Sequence, residues 1–354
     1  MTAPNPQQQV HDEIDQLQSA VSSLRSKVSM TDVINLVSTL DNQINGLPAR
    51  LTDLRGRGYA FEKTLETTTS DLKNRWNGQR DNVQMQLNSL VSQFRGAMAP
   101  IDAEMARLWD VASNATAAQS MIAPLRNQIN NLENRTNSAQ QTINAMIDAI
   151  KSDADKLIGH LDQVDNMLKQ LAEASFQLLP SESGVMAVKA VWAREGKETK
   201  DDPEGILFLT DQRLIFEQKQ EVATKKVMFV VTEKKMVQEK LFESALTQIE
   251  DVNPSKQGLF KNEDFIDLKL ANGSFAPTAK LHIWQDGNEW LELINQVKSG
   301  EFIQNRTVPL DQAVVDKAKA APTRCPNCGG VFTKPVLRGQ ESITCEFCGA
   351  VIKL

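Results

Sequence analysis

The chain is short of histidine, of long apolar runs, of aromatic rings and of excess positive charge, and each shortage excludes something. Its three histidines, His11, His160 and His282, are far apart, so no histidine cluster for acid–base work is visible. No apolar run approaches the ~18 residues that span a bilayer. The segment MTAPNPQQQVHDEID has no basic patch followed by an apolar core, so no secretory signal is expected. Lys and Arg number 39 against 45 Asp and Glu, a net charge of -6, so bulk attraction to nucleic acid or to an anionic membrane is not expected. Neither a G-x-x-x-x-G-K-[ST] phosphate loop nor H-E-x-x-H occurs. Asp201-Asp202, just before Pro203, read as a solvated turn. The expectation is a cytoplasmic protein that is not an enzyme.

What is there divides along the chain. Aromatics are 5% of residues with Tyr59 the single tyrosine, and few of them precede Leu179. The first half carries heptads instead. Val10, Ile14, Leu17, Val21, Leu24 and Val28 are spaced four and three in turn. A longer series runs Ile122, Leu125, Ile129, Leu132, Thr136, Ala139, Ile143, Ile147, Ile150, Ala154, Leu157, Leu161, Val164, Leu168 and Leu171. Apolar residues about every 3.5 positions form the seam of supercoiled helices, since each knob needs a facing hole. At ~1.5 Å per residue the longer series extends about 75 Å, with a stripe too narrow for a globule. Residues 33–108 keep the habit less cleanly, through Leu36, Leu40, Leu87 and Leu90 among others, with Pro48, Gly56-Arg-Gly58, Pro100 and Ser113 to Thr116 as candidate breaks. The spacing predicts a coiled-coil rod over 1–177; it does not decide between pairing within one chain and between chains, and an antiparallel hairpin that also forms a homo-oligomer is the favoured arrangement.

After Pro180 the period falls to two. Strands are expected at 185–193, 206–209, 213–217, 227–231, 236–242, 246–252, 265–270 and 280–284, with an Asn272-Gly273 turn before the last. Asp286 with Glu289 reads as a helix cap ahead of Trp290, Leu291, Ile294 and Val297, one apolar stripe. The stretch EGILFLTDQRLIFEQ sets two apolar runs around a polar hinge. Its Gly205, Leu207, Leu209, Thr210, Leu214 and Phe216 belong with Leu179-Pro180 before the first strand, Ile249 and Val252 later, and Trp290 in the helix. On these positions residues 178–302 resemble a GRAM domain, a branch of the PH-like fold. The resemblance implies a small β-barrel closed by a C-terminal helix, docking lipid head groups, membranes or proteins. Lys225-Lys226 and Lys234-Lys235 bracket the apolar VMFVV. These four lysines are the candidate lipid or partner contact, against the reading that they merely discourage edge pairing.

The strongest chemical pattern is at the end. Cys325, Cys328, Cys345 and Cys348 give C-x2-C-x16-C-x2-C, with Gly329 and Gly349 after each pair. Two intervening residues let both thiolates face one ion, and the glycine permits the positive φ of a knuckle turn. A structural Zn2+ is favoured over iron or a redox dithiol. The stretch 323–354 resembles a zinc ribbon, with 331–333 and 342–344 pairing around Arg338-Gly339. Four sulfurs leave no open ligand position, which points to a fold-holding ion. Residues 303–322 read as a linker with a short helix that lets the ribbon swing.

The expected architecture is therefore multidomain: an all-α coiled-coil rod, a PH-like (GRAM) β-barrel with a C-terminal helix, and a small zinc ribbon. The expected role is a non-catalytic scaffold that oligomerises through its helices and docks protein partners. A peripheral membrane protein binding anionic lipid is the alternative, and a nucleic-acid-associated factor acting through the ribbon the weaker one.

Overall fold

The computed structural model describes residues 6–354 apart from 228–229, 261, 310 and 339, and without the side chains of 6, 223–227, 230–234 and 314. It divides into two compact units, Met1–Pro48 with Glu66–Ile158, and Ala49–Leu65 with Gly159–Leu354. No helix is long and apolar enough to cross a membrane among the described residues.

The first unit is made by α1 (Pro6–Val28), most of α2 (Thr31–Gly56), α3 (Leu65–Asp110) and most of α4 (Ala115–Glu173). Arg25 to Asp102 at 2.8 Å and Trp109 Nε1 donating to Gln18 at 3.3 Å set α1 antiparallel to α3. Asp41 continues that seam in α2, accepting from the buried Trp76 indole at 2.7 Å. Arg126 to Glu13 at 3.3 Å and the Lys27–Glu133 pair set α1 parallel to α4. Arg75 to Asp153 at 2.8 Å and Gln128 donating to Glu104 at 3.1 Å set α3 against α4. The result is a three-helix bundle in which α1 and α2 in succession form one edge.

The heptad stripes are its core: Ile14, Leu24, Ile44, Ile143 and Ile147 are buried. A neighbouring helix does cover each stripe, but that helix belongs to the same chain. The packing reason for a homo-oligomer is thereby removed. Two finer expectations also change. Pro48 and Pro100 lie inside α2 and α3, where a continuous apolar seam outweighs the ~3 kcal/mol cost of an interior proline. One break went unforeseen, at Ser29-Met30, where Met30 takes φ 50° while buried. That restart shifts the α2 register, so Val33 and Val37 are buried and Leu36 is only half-buried.

The second unit is a seven-stranded antiparallel sheet of β1 (Gly184–Trp192), β2 (Glu204–Thr210), β3 (Arg213–Val227), β4 (Val230–Ala245), β5 (Ile249–Gln257), β6 (Glu263–Leu270) and β7 (Thr278–Ile283). Its order is β4-β3-β2-β1-β7-β6-β5. The expected closed barrel is an open sheet, with β4 and β5 as edges. Pro254 is tolerated in β5 because an edge strand needs only one row of ladder bonds. Side chains make the closure that backbone does not. Phe242 of β4 stacks on Phe275 of the β6–β7 loop at 4.1 Å, and Trp192 meets Phe242 edge-on at 5.0 Å. The strands expected at 213–217 and 236–242 belong to two long ones, of 15 and 16 residues, while positions 228–229 of the strand expected at 227–231 lie outside the described residues. The helix α5 (Gly287–Lys298) begins at Asp286, whose carboxylate accepts from the Asn288 amide, and buries Trp290, Ile294 and Val297.

The β2–β3 hairpin is covered on both faces. Leu207, Phe208, Leu209, Leu214, Ile215 and Phe216 are each fully buried. Phe176 meets Phe208 edge-on at 5.1 Å. Beside it the end of α4 approaches so closely that a Cβ on Gly184 would lie 2.4 Å from both Leu171 and Met167. A hairpin that is apolar on alternate and on adjacent positions therefore records two partners, the sheet interior and α4.

Residues 59–63, between α2 and α3, pack on the end of the sheet region. Phe61 meets Phe302 at 5.3 Å, and the Thr307 amide donates to Ala60 O at 2.7 Å. The first part of the expected linker is thus fixed in place; α6 (Glu301–Gln304) and α7 (Gln312–Ala320) account for much of the remainder.

Candidate metal centre

The last elements, β8 (Ser342–Thr344) and β9 (Val351–Lys353), pair with each other, and an isolated bridge joins Arg324 to Val331. Each is the base of a turn holding two cysteines, and the two turns repeat one geometry. The Cys325 amide donates to Gly330 O and the Cys345 amide to Ala350 O, both at 2.8 Å. The Gly329 amide returns to Cys325 O at 2.8 Å and the Gly349 amide to Cys345 O at 2.9 Å. Gly329 and Gly349 take φ 75° and 71°, a region that disfavours side chains. The glycines expected for this reason are the residues that make the turns.

The turns bring four sulfurs together. Every Sγ of Cys325, Cys328, Cys345 and Cys348 lies within 4.8 Å of the others. Cys325 and Cys348 are 3.7 Å apart, Cys328 and Cys345 3.6 Å. A tetrahedral ion with metal–sulfur bonds of about 2.3 Å spaces its ligands about 3.8 Å apart, so these edges fit such an ion. They are far beyond the ~2.05 Å of a disulfide. The electrostatics agree. The Ala350 amide and then Asn327 Nδ2, 3.7 Å from the sulfur, hold the Cys348 thiol down at about 6. At Cys328 the Gly330 amide pulls the same way, but the neighbouring sulfurs push that thiol up to about 12. Four thiolates at this spacing repel one another, and a central cation is what lets all of them ionise. Among the described residues the donor set is these four sulfurs, which fits a closed tetrahedral metal site.

The ribbon does not swing free of the sheet, contrary to the expectation from its linker. The Arg338 amide donates to Leu178 O at 2.8 Å, and its guanidinium reaches Pro180 O at 3.4 Å and also Glu182 O. The segment it grips carries a buried ionic node. The Glu182 carboxylate, fully buried, accepts from Arg213 Nε at 2.9 Å and Nη2 at 2.6 Å, from Thr210 Oγ1 at 2.6 Å and from the Leu179 amide at 2.6 Å. Next to it the Asp211 carboxylate accepts from the Ser183 amide at 2.8 Å and faces Arg306 at 3.7 Å. Desolvation pushes Asp211 up to about 6, against the pull of the Ser183 amide and Arg306.

Sequence reasoning found the cysteines and missed this node. In the sequence Thr210-Asp-Gln-Arg213 is simply a polar hinge between two apolar runs. Its T-x-x-R was the available signal, since an arginine at the foot of a doubly buried hairpin needs a counter-charge. Of the four candidate contact lysines, Lys225 and Lys226 lie in β3 and Lys234 and Lys235 in β4. Register pairs Lys225 with Glu233, Lys226 with Val231, Ala223 with Lys234 and Val222 with Lys235. The structure therefore gathers them near one hairpin end; Lys235 is exposed, and the other three side chains fall outside the description. Two further apolar surfaces are exposed. Leu259 and Phe260 cap the β5–β6 turn at 90% and 82% exposure. A cavity of about 330 Å³ in the ribbon is lined by Val331, Phe332, Pro335, Ile343, Thr344 and Phe347, among others.

No family model and no curated protein matches the chain. Among solved structures it is similar to the DH/PH domains of PDZ-RhoGEF in complex with GTP-gamma-S-activated RhoA, at 11% identity over 81% of this chain and 93% of that one, with a TM-score of 0.26. The human RhoA complex with the DH/PH fragment of PDZRHOGEF gives 10% identity, 82% and 94% coverage and a TM-score of 0.23. The DH/PH domains of p115-RhoGEF give 13%, 84%, 95% and 0.20. Likeness at this level carries no argument for an activity or a partner of this chain. The expectation that the chain is not an enzyme is withdrawn, since it rested on absent motifs and an absent motif excludes no activity.

Proposed function

We propose that the chain is a cytoplasmic adaptor in which a GRAM/PH-like module over 178–302 and a structural Zn2+ ribbon over 323–354 together dock a protein partner. In this reading 1–177 is the helical region and 303–322 joins module to ribbon. The observation that carries it is the Arg338 joint, which fixes the ribbon against the sheet and so makes one composite surface of two small domains. Strand order and the plugging helix α5 with Trp290 support the PH-like identity. The sulfur spacing supports zinc held by Cys325, Cys328, Cys345 and Cys348. Exposed Leu259, Phe260 and Phe347 supply apolar anchors of the kind that dominate interface energetics. The four reduced cysteines suit a reducing compartment. The test is quantitative capture by full-length protein and by Phe347→Ala and Leu259→Ser/Phe260→Ser variants that keep their zinc and fold. Loss of one discrete partner supports the reading; identical capture by all three removes it.

A second reading rests on Lys225, Lys226, Lys234 and Lys235, which register places on both strands beside VMFVV. That arrangement suits an anionic bilayer. Flotation with vesicles containing anionic lipid at low salt decides it, and failure to float removes it.

A further inference from the structure

We infer that the metal site is a clasp: its occupancy controls whether the ribbon grips the segment between α4 and β1, and Arg338 is the residue that transmits that state. The inference rests on the zinc reading and adds what the ion regulates.

Arg338 lies among the 16 residues between Cys328 and Cys345. Among the described residues of that stretch, β8 contributes three strand residues and Val331 an isolated bridge. Among the described residues of the ribbon the buried ones are Cys325 and Cys345, so those residues supply no apolar core to hold the loop when the metal leaves. A metal joining Cys328 to Cys345 closes that loop much as a disulfide does. Closing about 15 residues removes chain entropy equivalent to roughly a 100-fold change in equilibrium. With the ion bound, the Arg338 amide and guanidinium arrive pre-positioned at Leu178 O, Pro180 O and Glu182 O. Without it they sit on a flexible loop, and three hydrogen bonds at a solvent-exposed arginine do not offset the ordering.

The gripped segment is not passive. Glu182 holds Arg213 and Thr210 at the foot of the β2–β3 hairpin, and its amide donates to Leu179 O at 3.0 Å. Ser183 donates its amide to Asp211 and accepts from Arg306 at 2.7 Å through its hydroxyl. Arg338 therefore reaches the one short stretch where the α4 end, the hairpin and the residues after α6 meet. Release of the clasp exposes the carbonyls of Leu178, Pro180 and Glu182 and separates the two halves of the composite docking surface.

The experiment is hydrogen exchange on the full-length chain loaded with one equivalent of zinc, read at residues 178–183, before and after chelation. Chelation is expected to speed exchange there by roughly 100-fold. Arg338→Ala, with zinc content unchanged, is expected to give roughly tenfold from loss of the charged hydrogen bonds. Chelating that variant should add less than chelating the parent, because part of the route is already cut. Arg338→Lys, which keeps a charge and the amide, should fall between. If zinc binds and leaves with no change at 178–183, or if Arg338→Ala stays fully protected, the clasp is wrong while the zinc reading survives. If the tail takes up no zinc at all, both fall.

Discussion

Replacing Arg213 by methionine should cost the sheet domain about 3–5 kcal/mol. The magnitude follows from what is left behind. Glu182 is fully buried and Arg213 nearly so, and the pair is bidentate at 2.9 and 2.6 Å. Methionine fills much of the arginine stem but leaves an ionised carboxylate with only the Thr210 hydroxyl and the Leu179 amide as donors. Stranding a buried charge in this way has that typical cost. Glu243, the second carboxylate on Arg213 at 2.6 Å, is about one-third exposed and keeps Lys240 at 2.7 Å, so its loss adds little. The double variant Glu182→Met/Arg213→Met removes both charges and should recover most of the loss, since an apolar replacement of a buried pair is close to neutral. Urea titration with hydrogen exchange read at β2 and β3 amides isolates this unit from the helical bundle. A single variant within about 1 kcal/mol of the parent, or a double variant no better than the single, would refute the account of this node.

Three further outcomes are expected. Cys345→Ser should bring zinc content, measured by mass spectrometry of the metal, close to zero and unfold the tail; stoichiometric zinc in that variant would contradict the assignment. Gly205→Ala should destabilise β2–β3 by more than about 3 kcal/mol, because its Cβ would sit 1.9 Å from Glu217 O, a backbone atom; a Tm within two degrees of the parent would show that the strands separate freely. Asp211 stands at about 6 against an ordinary 3.8, so the folded chain holds the extra proton between those values and stability falls as pH rises through that window. Asp211→Asn keeps the oxygen that accepts from Ser183 and should gain up to about 3 kcal/mol at pH 7, with a flatter melting profile from pH 4 to 7; an unchanged slope would place the titration elsewhere.

The elements legible in the sequence were those whose cause is local. Heptad spacing marks Ile143 and Ile147 as core because helix geometry puts them on one face, and both are buried. The Asp286 cap and the Trp290 stripe read correctly for the same reason. The two cysteine knuckles are more local still, each turn being six residues long with its own glycine. What the sequence hid was set by distant partners. Arg213 and Glu182 are 31 positions apart and Arg338 and Glu182 156 apart, and no spacing rule reaches that far. The open sheet was misread as closed because side-chain contact between Phe242 and Phe275, not backbone pairing, joins β4 to the β6–β7 loop. Gly184, just before the first expected strand, lies where an added Cβ would meet Leu171 and Met167 of α4 at 2.4 Å, a contact no local pattern announces.

The helices make the same point about molecularity. A seam of leucine and isoleucine demands a facing helix, but the demand is blind to whose helix answers it. Connection length decides that. Residues 111–114 join α3 to α4 and residues 29–30 join α1 to α2, and a link that short holds the next helix beside the last at a concentration no separate chain can match. Once α1 and α2 lie antiparallel to α3, and α3 antiparallel to α4, the stripes of all four are spent on one another. What remains outside is sparse: Ile34, Met85 and Trp109 are the large apolar residues of this unit left exposed among those described, and they share no heptad. A homo-oligomer built through these helices would have to open the bundle first, exchanging one buried seam for another with no gain in covered area.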